Sequence, residues 1–181
     1  GIVSPHAGYV YSGWIAGMAY KTIEGRKYDA VIIIAPSHAK AFRGASLFDG
    51  DAYVTPLGEV IVDYELSQAI SEVNSYVRFS RDGHSWKEER SEHSLEVQLP
   101  FIQVVLPGTK IVPIVMGTQD FETADALMRA VVAGVKKLNR KVLIVASSDL
   151  SHYHSADTAR AMDMEIVNAF KSFDYFKLSL N

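Results

Sequence analysis

The sequence predicts an α/β fold, a three-layer α/β/α sandwich around a mostly parallel or mixed sheet, with a β-hairpin insertion. Three observations predict it. Val31-Ile32-Ile33-Ile34-Ala35 and Val142-Leu143-Ile144-Val145-Ala146 are unbroken aliphatic runs without alternation, the pattern of strands covered on both faces. Segments with helical spacing alternate with such runs along the chain, which calls for helices on both sides of a sheet. Thr55-Pro56-Leu57-Gly58 forms a turn signal between two short alternating segments, which marks a hairpin.

Taken in order, Gly1-Ile2-Val3 reads as the exit of a buried strand, with no initiator Met and no polar lead-in. Ser12 can cap a helix running to about Ile23. The Val31–Ala35 run follows, then the hairpin within Ser46 to Asp63, expected to widen the sheet or flank a pocket. Asp63 opens a helix carrying Leu66, Ile70 and Val73, and Arg78 to Ser91, the most polar stretch, reads as a loop. Leu95, Leu99, Ile102 and Leu106 form an i, i+4, i+7, i+11 stripe, inside which Pro100 should kink the helix or mark its true boundary. Ile111-Val112-Pro113-Ile114-Val115-Met116 is another strand run, with Pro113 pointing to an edge position or a bulge. Leu127, Val131, Val135 and Leu138 mark the next helix, and Met162, Ile166, Ala169, Phe170 and Phe173 the last.

With 181 residues, 48% of them hydrophobic, and a net charge of −3, the chain can bury one good core, so residues 1–181 are expected to form a single soluble domain. Its first residues and its apolar finish, Phe176-Lys177-Leu178-Ser179-Leu180-Asn181, read as cut at both ends. The absence of a basic excess argues against nucleic acid as a partner. No apolar stretch approaches the roughly 18 residues that span a bilayer, so no membrane partner is expected and a cytoplasmic location is the default. The expected partner is a small-molecule substrate or a peptide, with no oligomeric state specified. There is no cysteine, so any metal held by these residues must bind nitrogen and oxygen.

Three strand exits carry histidines on tight polar turns: Ser4-Pro5-His6-Ala7-Gly8-Tyr9, Ala35-Pro36-Ser37-His38 and Ser147-Ser148-Asp149-Leu150-Ser151-His152. Loops at the carboxyl ends of neighbouring strands converge on one crevice, which would bring His6, His38, Asp149 and His152 around one pocket. Imidazole is the commonest metal-binding side chain, and a strand end pre-orients it, so His6 and His38 are the expected ligands. Pro5 and Pro36 stiffen the turns, and Gly8 lets the chain reverse where a side chain would obstruct. The bland alternative is a surface or N-cap role for each histidine. Asp149 is a candidate ligand, a candidate acceptor that fixes a histidine tautomer, or a helix cap, with Ser147 or Ser148 at the same helix start. His152 is better placed as a general acid or base.

Glu92-His93-Ser94-Leu95-Glu96 reads as a helix start, with His93 and Glu96 sharing a face away from the leucine stripe. There His93 can donate to a substrate oxygen, or the acidic residues can simply complement the helix dipole. His84 is expected to be solvated and His154 to point elsewhere, while Tyr9 and Tyr11 fit core or rim packing better than the pocket. A serine hydrolase is set aside because no G-x-S-x-G occurs.

These motifs together resemble the Memo family, also called AmmeMemoRadiSam system protein B. The matching residues are Pro5-His6-Ala7-Gly8-Tyr9 with Tyr11-Ser12-Gly13, Pro36-Ser37-His38, Glu92-His93-Ser94-Leu95-Glu96 with Leu99-Pro100, Val112-Pro113-Ile114 with Gly117, and Ser147-Ser148-Asp149 with His152. They fall in order over nearly the whole chain. The resemblance implies a fold similar to class III extradiol ring-cleavage dioxygenases, non-haem iron enzymes. It implies His6 and His38 as metal ligands, His152 as the counterpart of the dioxygenase acid/base, and a divalent metal, iron first, with copper or zinc as alternatives. The family's third ligand is a cysteine further along the chain, so the site is expected to be incomplete in these residues unless Asp149 or water substitutes. Family members are linked to metal binding, redox activity and, in animals, cell motility through a phosphopeptide-type interaction. A non-catalytic metal- or peptide-binding protein on the same scaffold is the alternative to a dioxygenase-like oxidoreductase.

Overall fold

The computed structural model describes residues 1–84 and 92–174, which fall into two compact units, Gly1–Ser148 and Asp149–Asn181. The first unit runs β1 (Ile2–Ser4), α1 (Tyr9–Lys21), β2 (Ala30–Pro36), β3 (Ala45–Leu47), β4 (Ala52–Thr55), β5 (Gly58–Ile61), α2 (Tyr64–Ser71) and β6 (Val77–Phe79). A 3-10 turn (Glu96–Gln98) then leads into α3 (Leu99–Val105), β7 (Lys110–Met116), α4 (Phe121–Lys137) and β8 (Val142–Ser147). Six strands form one sheet in the order β1-β8-β2-β7-β3-β6. The first four are mutually parallel, while β3 pairs antiparallel with β7 and parallel with β6, so the sheet is mixed. The β4–β5 hairpin is a two-stranded sheet of its own, closed by the predicted turn with Thr55 opposite Gly58.

The pleat explains why the aliphatic runs are unbroken. Val31, Ile33, Ala35, Leu143 and Val145 point to one face and pack with Tyr20, Leu99 and Ile102 of α1 and α3. Ile32, Val112 and Ile114 point to the other and pack with Leu66, Ile70, Leu127 and Val131 of α2 and α4. Both faces are covered, giving the three layers. Asp63 caps α2 as predicted, accepting from Leu66 N at 3.1 Å. Pro100 marks a boundary rather than a kink, standing in the first turn of α3 where a missing N–H costs nothing.

Several expectations are corrected. β7 lies between β2 and β3, so Pro113 is neither on an edge strand nor at a bulge. The Pro113 carbonyl accepts from Phe48 N at 3.4 Å, just past the last β3–β7 pair, Leu47 with Ile114. A residue's N–H and C=O project to the same side of a strand, so the donor that proline lacks would face the place where β3 leaves the sheet. Ser12 does not cap α1, which starts at Tyr9 with Gly8 as N-cap; its hydroxyl donates instead to Ala7 O at 2.9 Å. Arg78 lies in β6, not in a loop, and residues 85–91 of that polar stretch are outside the described residues, as is the chain end from 175.

His84 is not solvated. Its Nε2 donates to Ser46 O at 3.0 Å, which leaves Nδ1 to accept from the Tyr53 hydroxyl at 2.5 Å, and Phe48 lies against the ring. Burial pushes its pKa down from 6.5 to about 4. The unfolded chain therefore takes up a proton near pH 6.5 that the folded chain refuses until about pH 4, so stability is lost as pH falls through that window. His84→Phe is expected to flatten the loss, read as the slope of urea midpoint against pH in variant and parent; equal slopes would refute it.

The second unit holds α5 (Ala156–Ser172), capped by Ser155, whose side chain accepts from Thr158 N. Ahead of it, Asp163 Oδ1 accepts from Ser151 N at 3.0 Å. Among the described residues, no helix is long and apolar enough to cross a membrane.

Candidate metal centre

Parallel pairing puts the carboxyl ends of β1, β8, β2 and β7 along one rim, with Ser4 opposite Ser147 and Pro36 opposite Met116. His6 stands two residues beyond β1 and His38 two beyond β2. The sheet brings their rings together, with centroids 5.1 Å apart in an edge-to-face arrangement. His93 joins them: its ring stacks on His38 at 5.2 Å and lies 6.0 Å from that of His6. His6 is 4% exposed, whereas His38 and His93 open to solvent, so the cluster has a buried floor and an accessible mouth.

His93 does not reach this place from a helix. Glu92 and His93 lead into a turn at Ser94 and Leu95; Leu95 is already right-handed helical and Val97 N donates to His93 O at 3.1 Å, so His93 stands at the helix start, just ahead of the 3-10 turn, rather than on a face within it. Two contacts fix the lead-in. Ser94 Oγ donates to Pro36 O at 2.6 Å, tying it to the end of β2, and Ser94 O accepts from Ser147 Oγ at 2.6 Å, tying it to the end of β8.

Glu92, read above as a dipole complement, is the organising carboxylate. Its Oε1 accepts from His38 Nδ1 at 3.0 Å and from the backbone N–H groups of His93 and Ser94, each at 2.9 Å. Its Oε2 accepts from the backbone N–H groups of His38 and Ala39. The side chain is 2% exposed, and burial alone would raise its pKa, but the hydrogen bonds from Ser94 and His38 outweigh burial and hold it down at about 2. Glu92 is thus an anion at neutral pH, and His38 must keep a proton on Nδ1, which leaves the lone pair on Nε2.

His6 reaches the same state by a neutral route. Its Nδ1 lies 2.8 Å from Ser147 Oγ, whose single proton is committed to the carbonyl of Ser94. The serine oxygen can only accept, so His6 carries its proton on Nδ1 and its lone pair on Nε2. Ser147 is therefore the buried last residue of β8 and no part of a helix start.

Ligand atoms of His38, Glu92 and His93 lie within 4.8 Å of one another, a spacing compatible with a shared ion. The five N–H donors on Glu92 argue that its carboxylate orients His38, and that His6 is the better companion ligand. The sequence signal for Glu92 was its place directly beside His93 in the Glu92-His93-Ser94-Leu95-Glu96 motif. Gln98, next to the buried Leu99, carried a similar signal, being a polar side chain wholly inside the core.

Asp149 and His152 belong to the second unit. His152 Nδ1 donates to Leu150 O at 2.9 Å, and Nε2 stands 3.4 Å from Asp149 Oδ2. Leu150 and Tyr153, both left-handed (φ 64 and 60), bracket this turn, a conformation that costs about 1 kcal/mol or more at each. Asp149 is not a helix cap, since Ser155 fills that role. Gly8 is not required by its backbone either: φ is −51, and an added Cβ would make ordinary contact, 3.6 Å from Tyr11. Tyr9 OH donates to Val97 O at 3.4 Å with its ring edge-on to Phe101, while Tyr11 is largely exposed, so neither hydroxyl is seen reaching the histidines.

A family model described as Memo-like protein matches residues 1–179. Among curated relatives, a MEMO1 family protein of Methanothermobacter thermautotrophicus is 35% identical over 175 residues, covering 96% of this chain and 61% of its own length. One from Pyrobaculum aerophilum is 39% identical over 173 residues, covering 94% of this chain and 60% of its own. The chain thus spans about three fifths of the length of the relatives it matches. A solved structure, uncharacterized protein JW3007 of Escherichia coli K12, covers 76% of this chain and 54% of its own at 13% identity, with a TM-score of 0.46.

Proposed function

The chain belongs to the Memo-like protein family, and we propose that its strand-end histidines hold a divalent metal ion through Nε2 of His6 and of His38, for oxidoreductase chemistry of the non-haem-iron dioxygenase kind on a substrate not yet assigned. One observation carries the reading. Two imidazoles from distant parts of the chain lie 5.1 Å apart, each bound at Nδ1 to an acceptor that forces the metal-binding tautomer.

The donor set fits such an ion: two neutral nitrogens and no thiolate suit iron, zinc or copper. Bound there, the ion would supply Lewis-acid and one-electron chemistry. The chain's own residues do the rest. Glu92 holds His38, Ser147 holds His6, and His93, stacked on His38 at the mouth, can give an imidazole N–H to a substrate oxygen.

Metal analysis of the purified protein with its His6→Ala and His38→Ala variants tests this. About one equivalent is expected in the parent and less than a tenth of that in each folded variant, on the ground that each loses half of the nitrogen set. Stoichiometric metal surviving either substitution would remove that histidine from the site. The exposure of His38 and His93 favours a second reading, metal or peptide capture without turnover, because oxygen chemistry gains from a water-excluding cavity. Retained iron with no oxygen uptake on catechol-type probes would select it.

A further inference from the structure

We infer that Ser147, held in turn by Gln98 and Tyr20, is a positioning residue that locks His6 in its Nδ1–H tautomer and thereby sets how tightly His6 binds a metal. The inference rests on the metal reading above only for its second half.

The direction of every hydrogen bond in the string can be worked out from its ends. Gln98 Nε2 lies 2.9 Å from Pro5 O, a group that only accepts, so the amide must turn its NH2 that way. Its second N–H then reaches Ser147 Oγ at 2.9 Å, and its Oε1 accepts from the Tyr20 hydroxyl at 3.0 Å. Ser147 gives its own proton to Ser94 O at 2.6 Å, another group that only accepts. One bonding position is left on the serine oxygen, and it receives Nδ1–H of His6 at 2.8 Å.

Tyr20, Gln98 and Ser94 are wholly buried and Ser147 is 6% exposed, so water cannot repair a reversed bond. Were His6 to move its proton to Nε2, Nδ1 and Ser147 would face each other as two acceptors. Two backbone carbonyls outside the histidine, one from the β1 exit and one from the Ser94 turn, thus dictate where its proton sits. His38 gains the same tautomer from a carboxylate, so one ligand is supported by an anion and the other by a neutral relay.

Ser4 supplies an internal control. It sits opposite Ser147 in register on β1 and is just as buried, yet its hydroxyl has no hydrogen-bond partner among the described residues. Removing it should leave His6 unchanged.

The test is long-range 1H–15N NMR of the metal-free protein at pH 8, with Co(II) titrations followed by absorption. The parent and Ser4→Ala should show His6 as Nδ1–H. Ser147→Ala and Gln98→Met should show mixed or Nε2–H tautomers and bind Co(II) about 10- to 100-fold more weakly, with Ser147→Thr restoring both. An Nε2–H signal from His6 in the parent would overturn the lock without recourse to any variant. So would an unchanged tautomer in folded Ser147→Ala. If the tautomer shifts as expected but the parent binds no Co(II), the lock stands and the metal reading falls.

Discussion

Glu92→Gln is expected to weaken metal binding by about 10- to 100-fold and to lower folding stability by about 3 kcal/mol, although the substitution preserves shape. The reason is a count of donors. Five N–H groups converge on two oxygens, from His38 Nδ1, His93 and Ser94 on one side and from the backbone of His38 and Ala39 on the other. Gln offers one oxygen and one NH2, so whichever way it turns, at least two donors meet another donor in a site with little water. The His38 tautomer loses its anchor at the same moment. Stability should also change its dependence on pH. Glu92 has a folded pKa of about 2 against an ordinary 4.5, so its contribution is present above pH 4.5 and disappears as pH falls toward 2. The variant has no such group and should lack that part of the acid slope. Urea denaturation from pH 6 to pH 2, with Co(II) affinity at neutral pH, checks both effects; an unaltered acid profile together with unaltered affinity would show that Glu92 is a bystander.

The layers were legible because burial on both faces leaves an aliphatic run with no alternation, as in Val31–Ala35 and Val142–Ala146. The meeting of His6 and His38 was legible for a related reason, since parallel strands deliver their exits to one rim. What sequence reasoning missed were interactions between groups remote in the chain and weak in local signal. Glu92 looks like any acidic residue before a helix until the backbone N–H groups of His38 and Ala39, 54 and 53 residues away, turn toward it. Ser147 looks like a cap because serine so often is one. Its true role depends on Ser94 and Gln98, which arrive from the β2 side and from the 3-10 turn. Pro113 misled for the opposite reason. The rule that keeps proline off central strands concerns a donor that some neighbour needs, and β3 has already left the sheet where that donor would point.

Gly117→Ala should be nearly as damaging as the loss of Glu92, costing about 3 kcal/mol and at least a tenfold loss of metal affinity, from a position that touches no histidine. The segment carrying His38 is pinned at both ends to the exit of β7. Ser37 N donates to Met116 O at one end, and Gly117 N donates to Gly44 O at the other, each at 2.9 Å. Between them Phe42 folds over Gly117 so closely that an added Cβ would lie 2.2 Å from Phe42 O and 2.4 Å from its ring. Backbone oxygen cannot swing aside as a flexible side-chain tip can, so the clash must be relieved by moving the segment itself. His38 stands near its start and depends on a Glu92 carboxylate that cannot follow, and a shift of even part of an ångström stretches that contact. Gly17→Ala is the matched control: in α1 the new methyl would meet Phe101 at an ordinary 3.9 Å, and the change should stabilise by roughly 0.5–1 kcal/mol through helix propensity. Thermal melts of both variants with metal titrations separate the two glycines; a Gly117→Ala protein with parental affinity and melting temperature would mean that the His38 segment is not held by β7.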